Sequence, residues 1–388
     1  MYNTYFAWIP VLLALAPVFA DELAVEVSDD ASLRTALRSA GPGTRIRIAA
    51  GHYRPGVYAA NLKGTERRPI VIEGADENNP PTFEGGNEAW HFSDCAYLTL
   101  RNIAVKGQRS NGINVDDGGS YDTPTHNVVL EKIRVADIGP QGNHDGIKLS
   151  GVDDFVVRHC SIEGWGGQAV DMVGCHRGVI ERCTFAGKPG FSQSAGPQTK
   201  GGSRDIAIRG CRFSGPVARA VNVGGSTGLP YFRPKGTLYE AKDIVVEGCA
   251  FAGGEAPIAY VGVHGATVRY NTFYRPEKWV LRILQETTEQ GFAPCRRGRF
   301  EHNLIVFRRS DVGVFVNIGP NTAPETFTFA ENLWFCEDRP TASKPDLPVP
   351  EVRGVYGVDP RLTDPAKNDF RPRSPVAVKF GVGAWTSK

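Results

Sequence analysis

The sequence predicts an all-β chain, a right-handed parallel β-helix with an N-terminal capping helix. Three observations point there. One short strand motif returns along the chain at variable spacing, a second strand motif returns in step with it, and the composition favours turns over packed helices. The 388 residues include 45 Gly and only 2 Met, and 41% are hydrophobic, enough for a continuous core.

The first motif aligns TLRNIAVKG, LEKIRVADI, VRHCSIEGW, ERCTFAG, RGCRFSG, EGCAFAG, RYNTFYR, EHNLIVF and AENLWFC. One column then reads Ile103, Ile133, Cys160, Cys183, Cys211, Cys249, Asn271, Asn303 and Asn332. Two residues later a second column reads Val105, Val135, Ile162, Phe185, Phe213, Phe251, Phe273, Ile305 and Trp334. Buried residues at i and i+2 mark a short strand, and their return once per turn of variable length marks stacked coils with free loops. Like side chains would then lie about 4.8 Å apart in ladders. The four-Cys run is expected as a stack of free thiols and the three Asn as an amide ladder. Cys295 and Cys336 are left as a candidate disulfide.

The second motif runs through NGINVDD, DGIKLSG, QAVDMVG, QTKGG, RAVNVGG, PIAYVG, VLRILQE and VFVNIG. Its inward residues are apolar, as in Ile113, Ile147, Val170, Val221, Ile258 and Leu281. The outward column is expected to be Asn114, Lys148, Asp171, Lys200, Asn222, Ala259, Arg282 and Asn317.

The ends divide the chain. Residues 1–20, an apolar stretch closing on Val18-Phe19-Ala20, read as a signal peptide, so the protein is expected to be secreted or periplasmic. Residues 21–338 are expected to form the β-helix with its cap, since SLRTALRSA after Asp29-Asp30 carries Leu33 and Leu37 on one helical face. Residues 339–388 open Pro-rich and are expected as a tail packed on the last coils. With 44 Lys+Arg against 42 Asp+Glu, no global field favours nucleic acid or a membrane. A monomer is expected.

SLRTALRSAGPGTRIRIAAGHYRPGVYAANLKGTERRPIVIEG resembles the opening segment of the polysaccharide-lyase family of chondroitinase B and several alginate lyases. DPRLTDPAKNDFRPRSPVAVKFGVGA resembles the closing segment of many secreted β-helix enzymes. The resemblance implies a carbohydrate-active enzyme and places Lys200 on that family's Lys, in QTKGGSRDIAIRGCRF, with Asn222 near its Arg. Pro197-Gln198-Thr199 stands where the family has acidic calcium ligands, so bound Ca2+ is an open question. Asp116-Asp117 and Asp153-Asp154 are the oxygen-rich candidates.

β-Elimination in a uronate chain needs a counter-charge for the C6 carboxylate, a base for the C5 proton and an acid for the leaving O4. The expected catalytic set is Lys200 as base, Arg219 with Lys148 and Asp171; Asn222, Arg282, Asp145, His144, Tyr231 and Arg233 are the expected substrate contacts. The partner is then an acidic polysaccharide or oligosaccharide. Hydrolysis is the rival, because Asn143-His144-Asp145-Gly146 resembles an element of the polygalacturonase family and Asp145 with Asp171 would be acid and base. Uronate C5-epimerisation shares the first proton transfer. A non-catalytic glycan-binding β-helix, using Trp165, Tyr231, Phe232 and Tyr239 as platforms, is the third reading. A bland ion ladder of Lys148, Asp171 and Lys200 would account for the same charges.

Overall fold

In the computed structural model, which describes residues 23–120 and 122–384, the chain winds into a parallel β-helix. The expected signal peptide lies outside the described residues. Among the described residues the strands form three parallel sheets of 13, 12 and 10 strands, and each coil visits them in turn. One coil shows the path: Thr125–Glu131 in sheet I, Arg134–Ile138 in sheet II and Ile147–Ser150 in sheet III.

From Asn102 onward the corner between sheets I and II is built the same way in nine successive coils. Asn102, Lys132, His159, Arg182, Gly210, Gly248, Tyr270, His302 and Glu331 all take the left-handed conformation, with φ between 52° and 64°. That conformation costs a non-glycine residue roughly 1–2 kcal/mol. It turns the chain within two residues and drops the next side chain into the core. Those next side chains are the expected first column, Ile103 through Asn332, and all are buried. In the Asn segment, the Asn271 amide donates to Asn303 Oδ1 at 3.1 Å and the Asn303 amide to Asn332 Oδ1 at 3.0 Å. Phe185, Phe213, Phe251 and Phe273 stack in sheet II with centroids 4.9, 4.5 and 4.9 Å apart. The eight cysteines are free and buried, so Cys295 and Cys336 form no disulfide.

Sheet I carries a ladder that the sequence columns did not include. Its outward register runs Glu26, Arg47, Glu73, Arg101, Glu131, Arg158, Glu181, Arg209, Glu247, Arg269, Glu301, alternating in sign at every coil. Arg158 meets Glu131 at 2.9 Å and Arg269 meets Glu247 at 2.9 Å. Opposite charges directly across a strand pair stabilise it and like charges destabilise it. A slip of one coil would therefore put like against like along the whole sheet.

Helix Asp30–Ser39 covers the first coil with Leu33, Ala36 and Leu37, and its start is a capping box between Asp29 and Ser32. At the other end the coils continue past residue 338. After the Pro-rich segment, Val355–Tyr356 adds a strand to sheet II beside Leu333–Trp334. The antiparallel hairpin of Leu362–Asp364 and Asp369–Pro372 and the helix Pro375–Phe380 follow. This tail lies back along the coils, where Phe370 packs on Tyr274 and Arg212 donates to the Asn368 carbonyl at 3.1 Å.

The Asn ladder is therefore expected to outweigh the thiol ladder energetically. Asn303→Ala orphans two buried donors of Asn271 and should cost about 3 kcal/mol in urea unfolding, whereas Cys211→Ala should cost about 1 kcal/mol. Equal losses would place the Asn stack with ordinary packing.

Candidate functional site

Sheet III is the wall where the outward side chains are polar. Its register aligns Tyr58, His91, Asn114, Lys148, Asp171, Gln198, Asn222, Ala259, Arg282 and Asn317 in one column. The third-sheet residue expected at Lys200 is thus Gln198. Pro197 takes the inward place beside Val170, and the strand Ala195–Lys200 carries Lys200 two positions further, beside Val173. Lys200 belongs to a second outward column with Ser93, Asp116 and Ser150.

Its ammonium nevertheless returns to the first column. Lys148 and Lys200 contact opposite oxygens of Asp171, each at 3.1 Å, and Lys148 also reaches Asp145 Oδ2 at 3.2 Å. Both Lys148 contacts have hydrogen-bond alignment, that of Lys200 does not, and the buried Asp171 Oδ1 accepts no hydrogen bond. Asp145 and Asp171 have no exposed surface, while Lys148 and Lys200 are partly exposed. Burial works against the Lys148 charge, but Asp171 and Asp145 outweigh it and hold the ammonium above its ordinary value. Burial, then repulsion from Asp171, pushes the Asp145 carboxyl up to about 6 against the pull of Lys148 and the Gln168 N–H.

Lys148, Asp171 and Lys200 open into a cavity of about 700 Å³ whose other walls include His91, Asn114, Asp116, Asp117 and Tyr231. One wall is the loop that leaves sheet III after Gly224. At Gly224 φ is +97°, and a Cβ there would strike the Val261 carbonyl, so the loop can depart only from glycine. Two buried charged groups pin it. Glu240 accepts from the Gly201 and Thr227 N–H groups, each at 2.8 Å, and from the Thr227 and Thr287 hydroxyls. Arg233, expected as a substrate contact, lines the cavity but is mostly buried with its guanidinium engaged: it meets Asp153 Oδ1 at 2.6 Å and the Gly174 carbonyl at 3.0 Å, with His176 beside it. Of the four candidate aromatic platforms, Tyr231 is exposed in the cavity. Trp165 and Phe232 are buried, and Tyr239 packs edge-on against His264.

Arg219, Arg282 and Asn222 border a second cavity of about 410 Å³ that shares Lys200 and Ser226 with the first. Arg219 pairs with Glu286 at 2.6 Å and reaches Asn222 Oδ1 at 3.4 Å. Arg282 donates to Asn317 at 2.9 Å and lies 4.5 Å over the Trp279 ring. His144 lines neither cavity; its ring packs against Gly139 and Gly142, while its neighbour Asn143 lines the larger cavity. Asp145 lines neither cavity either, so it and Asp171 do not present the pair of carboxylates that would flank a bond for hydrolysis.

Of the two candidate calcium positions, the Asp153-Asp154 pair is taken up by cationic side chains. Asp153 is held by Arg233, Arg177 and His176, and Asp154 by Arg177 at 2.8 Å. Among the described residues no three His, Cys, Asp or Glu side chains converge as a metal site.

The residue that the sequence columns missed is His91. Its Nε2 lies 2.6 Å from Asp116 Oδ2, its Nδ1 lies 3.5 Å from Glu88, and Tyr58 packs edge-on against its ring. Burial raises the Asp116 carboxyl, but bonds from Ser93, His91 and the Gly118 N–H outweigh it and leave the group below its ordinary value. NEAWHFSD laid over SNGINVDD puts His91 over Asn114, one coil before the first segment of the second motif at Asn111.

A family model described as the right-handed beta helix region matches residues 85–277, the coils that carry most of this wall. No curated protein matches the sequence. Among solved structures, a rhamnogalacturonan lyase superposes with a TM-score of 0.57 at 14% identity, over 91% of this chain and 94% of that one. An alginate lyase from Paenibacillus sp. str. FPU-7 superposes with a TM-score of 0.53 at 16% identity, over 77% and 96%. A PL6 family polysaccharide lyase from Pseudopedobacter saltans superposes at 0.51 and 14% identity, over 94% and 99%. At these identities the likeness establishes the fold: a right-handed parallel β-helix.

Two outcomes follow from the buried charges. Arg233→Ala removes the closest of the three partners of Asp153 but leaves Arg177 at 2.9 Å and His176 at 3.3 Å, and should cost about 1–3 kcal/mol in unfolding, read by denaturation. The raised Asp145 carboxyl means that the folded chain binds a proton more tightly than the unfolded chain between about pH 4 and 6. Its contribution therefore declines as pH rises through that window. The stability of Asp145→Asn relative to the parent should rise from pH 4 to 6 in urea titrations, and a flat difference would contradict the buried carboxyl.

Proposed function

We propose that this β-helix is a polysaccharide lyase that cleaves a uronate-containing glycan by β-elimination on the outer face of sheet III. The observation that carries the reading is the convergence of Lys148, Asp171 and Lys200 on the floor of the larger cavity. The lyases among the structural neighbours support it as a reaction class, each at low identity.

In this reading Lys148, doubly paired and held charged, is the counter-charge that draws electron density from the C6 carboxylate and acidifies C5–H. Lys200, whose ionic contact to Asp171 lacks hydrogen-bond alignment, takes the C5 proton in its neutral form. The C4–O4 bond breaks as the C4=C5 double bond forms, and the phenolic hydroxyl of Tyr231, on the loop wall of the same cavity, supplies the proton to O4. Asp171 orients both lysine side chains. Arg219 and Arg282, in the adjoining cavity two and four coils from Asp171, take the carboxylate of a uronate further along the chain rather than that of the reacting one. The export expected from residues 1–20 suits a polymer met outside the cytoplasm.

Incubation with a panel of uronate polymers should produce the ultraviolet absorbance of unsaturated products. Lys148→Ala and Lys200→Ala should each lower kcat by about 10²- to 10⁴-fold, and Arg282→Ala should raise KM with a smaller effect on kcat. New reducing ends without unsaturated product would replace elimination with hydrolysis.

A further inference from the structure

The larger cavity is polarised along the helix axis, and its charge order bears on the sugar next to the reacting one. Its central floor holds the ammonium groups of Lys148 and Lys200, and the adjoining cavity adds Arg219 and Arg282. Two coils from Asp171 in the opposite direction, about 10 Å away by the spacing of strands, the walls turn acidic. Asp116 and Asp117 face the cavity there with His91, and Glu88 stands behind His91.

The hydrogen bonds at that end are arranged to accept. Asp116 is kept ionised by Ser93, His91 and the Gly118 N–H, and Asp117 takes the Gly119 N–H at 2.9 Å. Between the two ends, Asn114 turns its amide nitrogen toward His91 at 3.4 Å, and its Oδ1 is buried without a donor. Arg233, the cation nearest this end in the cavity lining, is engaged by Asp153. A carboxylate lying over Asn114 would face the Asp116 and Asp117 carboxylates, whereas hydroxyl or amide N–H groups could donate to them.

We infer that the glycan is an alternating one, a uronate at Lys148 and Lys200 followed, over Asn114 and Asp116, by an uncharged hydroxyl-rich or N-acetylamino sugar. This names the substrate class of the lyase reading and rests on it for the orientation of the chain. The charge order of the groove itself can be tested without turnover.

Equilibrium binding of tetrasaccharides of equal length separates the two questions. Oligosaccharides alternating uronate with N-acetylhexosamine should bind at least ten-fold tighter than homouronate oligosaccharides in calorimetry at moderate salt. Asp117→Asn, which removes one carboxylate, should narrow that ratio several-fold by improving the homouronate. Equal or tighter binding of the homouronate by the unaltered protein would overturn the inference. Turnover of the same polymers reads the other question: absence of unsaturated product from every polymer would sink the lyase reading while leaving the binding preference to be judged by itself.

Discussion

In a parallel β-helix each coil hydrogen-bonds to the next in one register, and that register decides which side chains meet. Here Lys148 and Asp171 are 23 residues apart in sequence and direct neighbours across a strand pair, because Ile147 pairs with Val170 and Leu149 with Met172. The ladders hold that register. Buried Phe and Asn stacks reward identical residues at identical positions, and the alternating Glu and Arg of sheet I penalise a displaced coil. The charged wall of sheet III contributes little to register, since its column changes chemistry at almost every coil. It is free to vary because the other two walls carry the alignment.

The centre of that wall is costly to build. Two carboxylates without exposed surface are matched by two ammonium groups that keep part of their surface in water. Buried ion pairs are weak sources of stability, since desolvation can exceed the attraction. Here Lys148, Asp171 and Lys200 line a cavity, the setting in which strongly perturbed charged groups tend to gather at functional sites. The contrast with Arg233 is instructive. Its guanidinium is as well paired, but it is enclosed, and its work is to hold the loop that forms the cavity wall.

Rigidity of that wall follows from the same chemistry. Glu240, buried at one foot of the loop, satisfies two backbone N–H groups and two hydroxyls, and Arg233 closes the other side over Asp153. Between them Tyr231 stands exposed toward the groove. A wall built this way presents one aromatic to the groove without needing a ligand to order it.

The amino-acid sequence by itself determined the coils, because periodic Cys, Phe and Asn at the turn into sheet II have no other economical explanation than stacking. It also determined the capping helix, through Asp29, Ser32, Leu33 and Leu37. It identified Lys148 and Asp171 as outward neighbours, since apolar residues on either side fix the alternation of their strands. Tertiary structure decided the rest. Lys200 lies two positions from its expected column, because Pro197 rather than Thr199 takes the inward place and alternation alone cannot choose between them. Arg233 and His144 look equally polar in sequence, yet one is sealed against Asp153 and the other turns toward Gly139, outcomes set by loop paths that no period encodes. His91 joined the groove only once the first coils were paired with the later ones, since a single histidine in a short strand carries no periodic signal until its neighbours across the sheet are known.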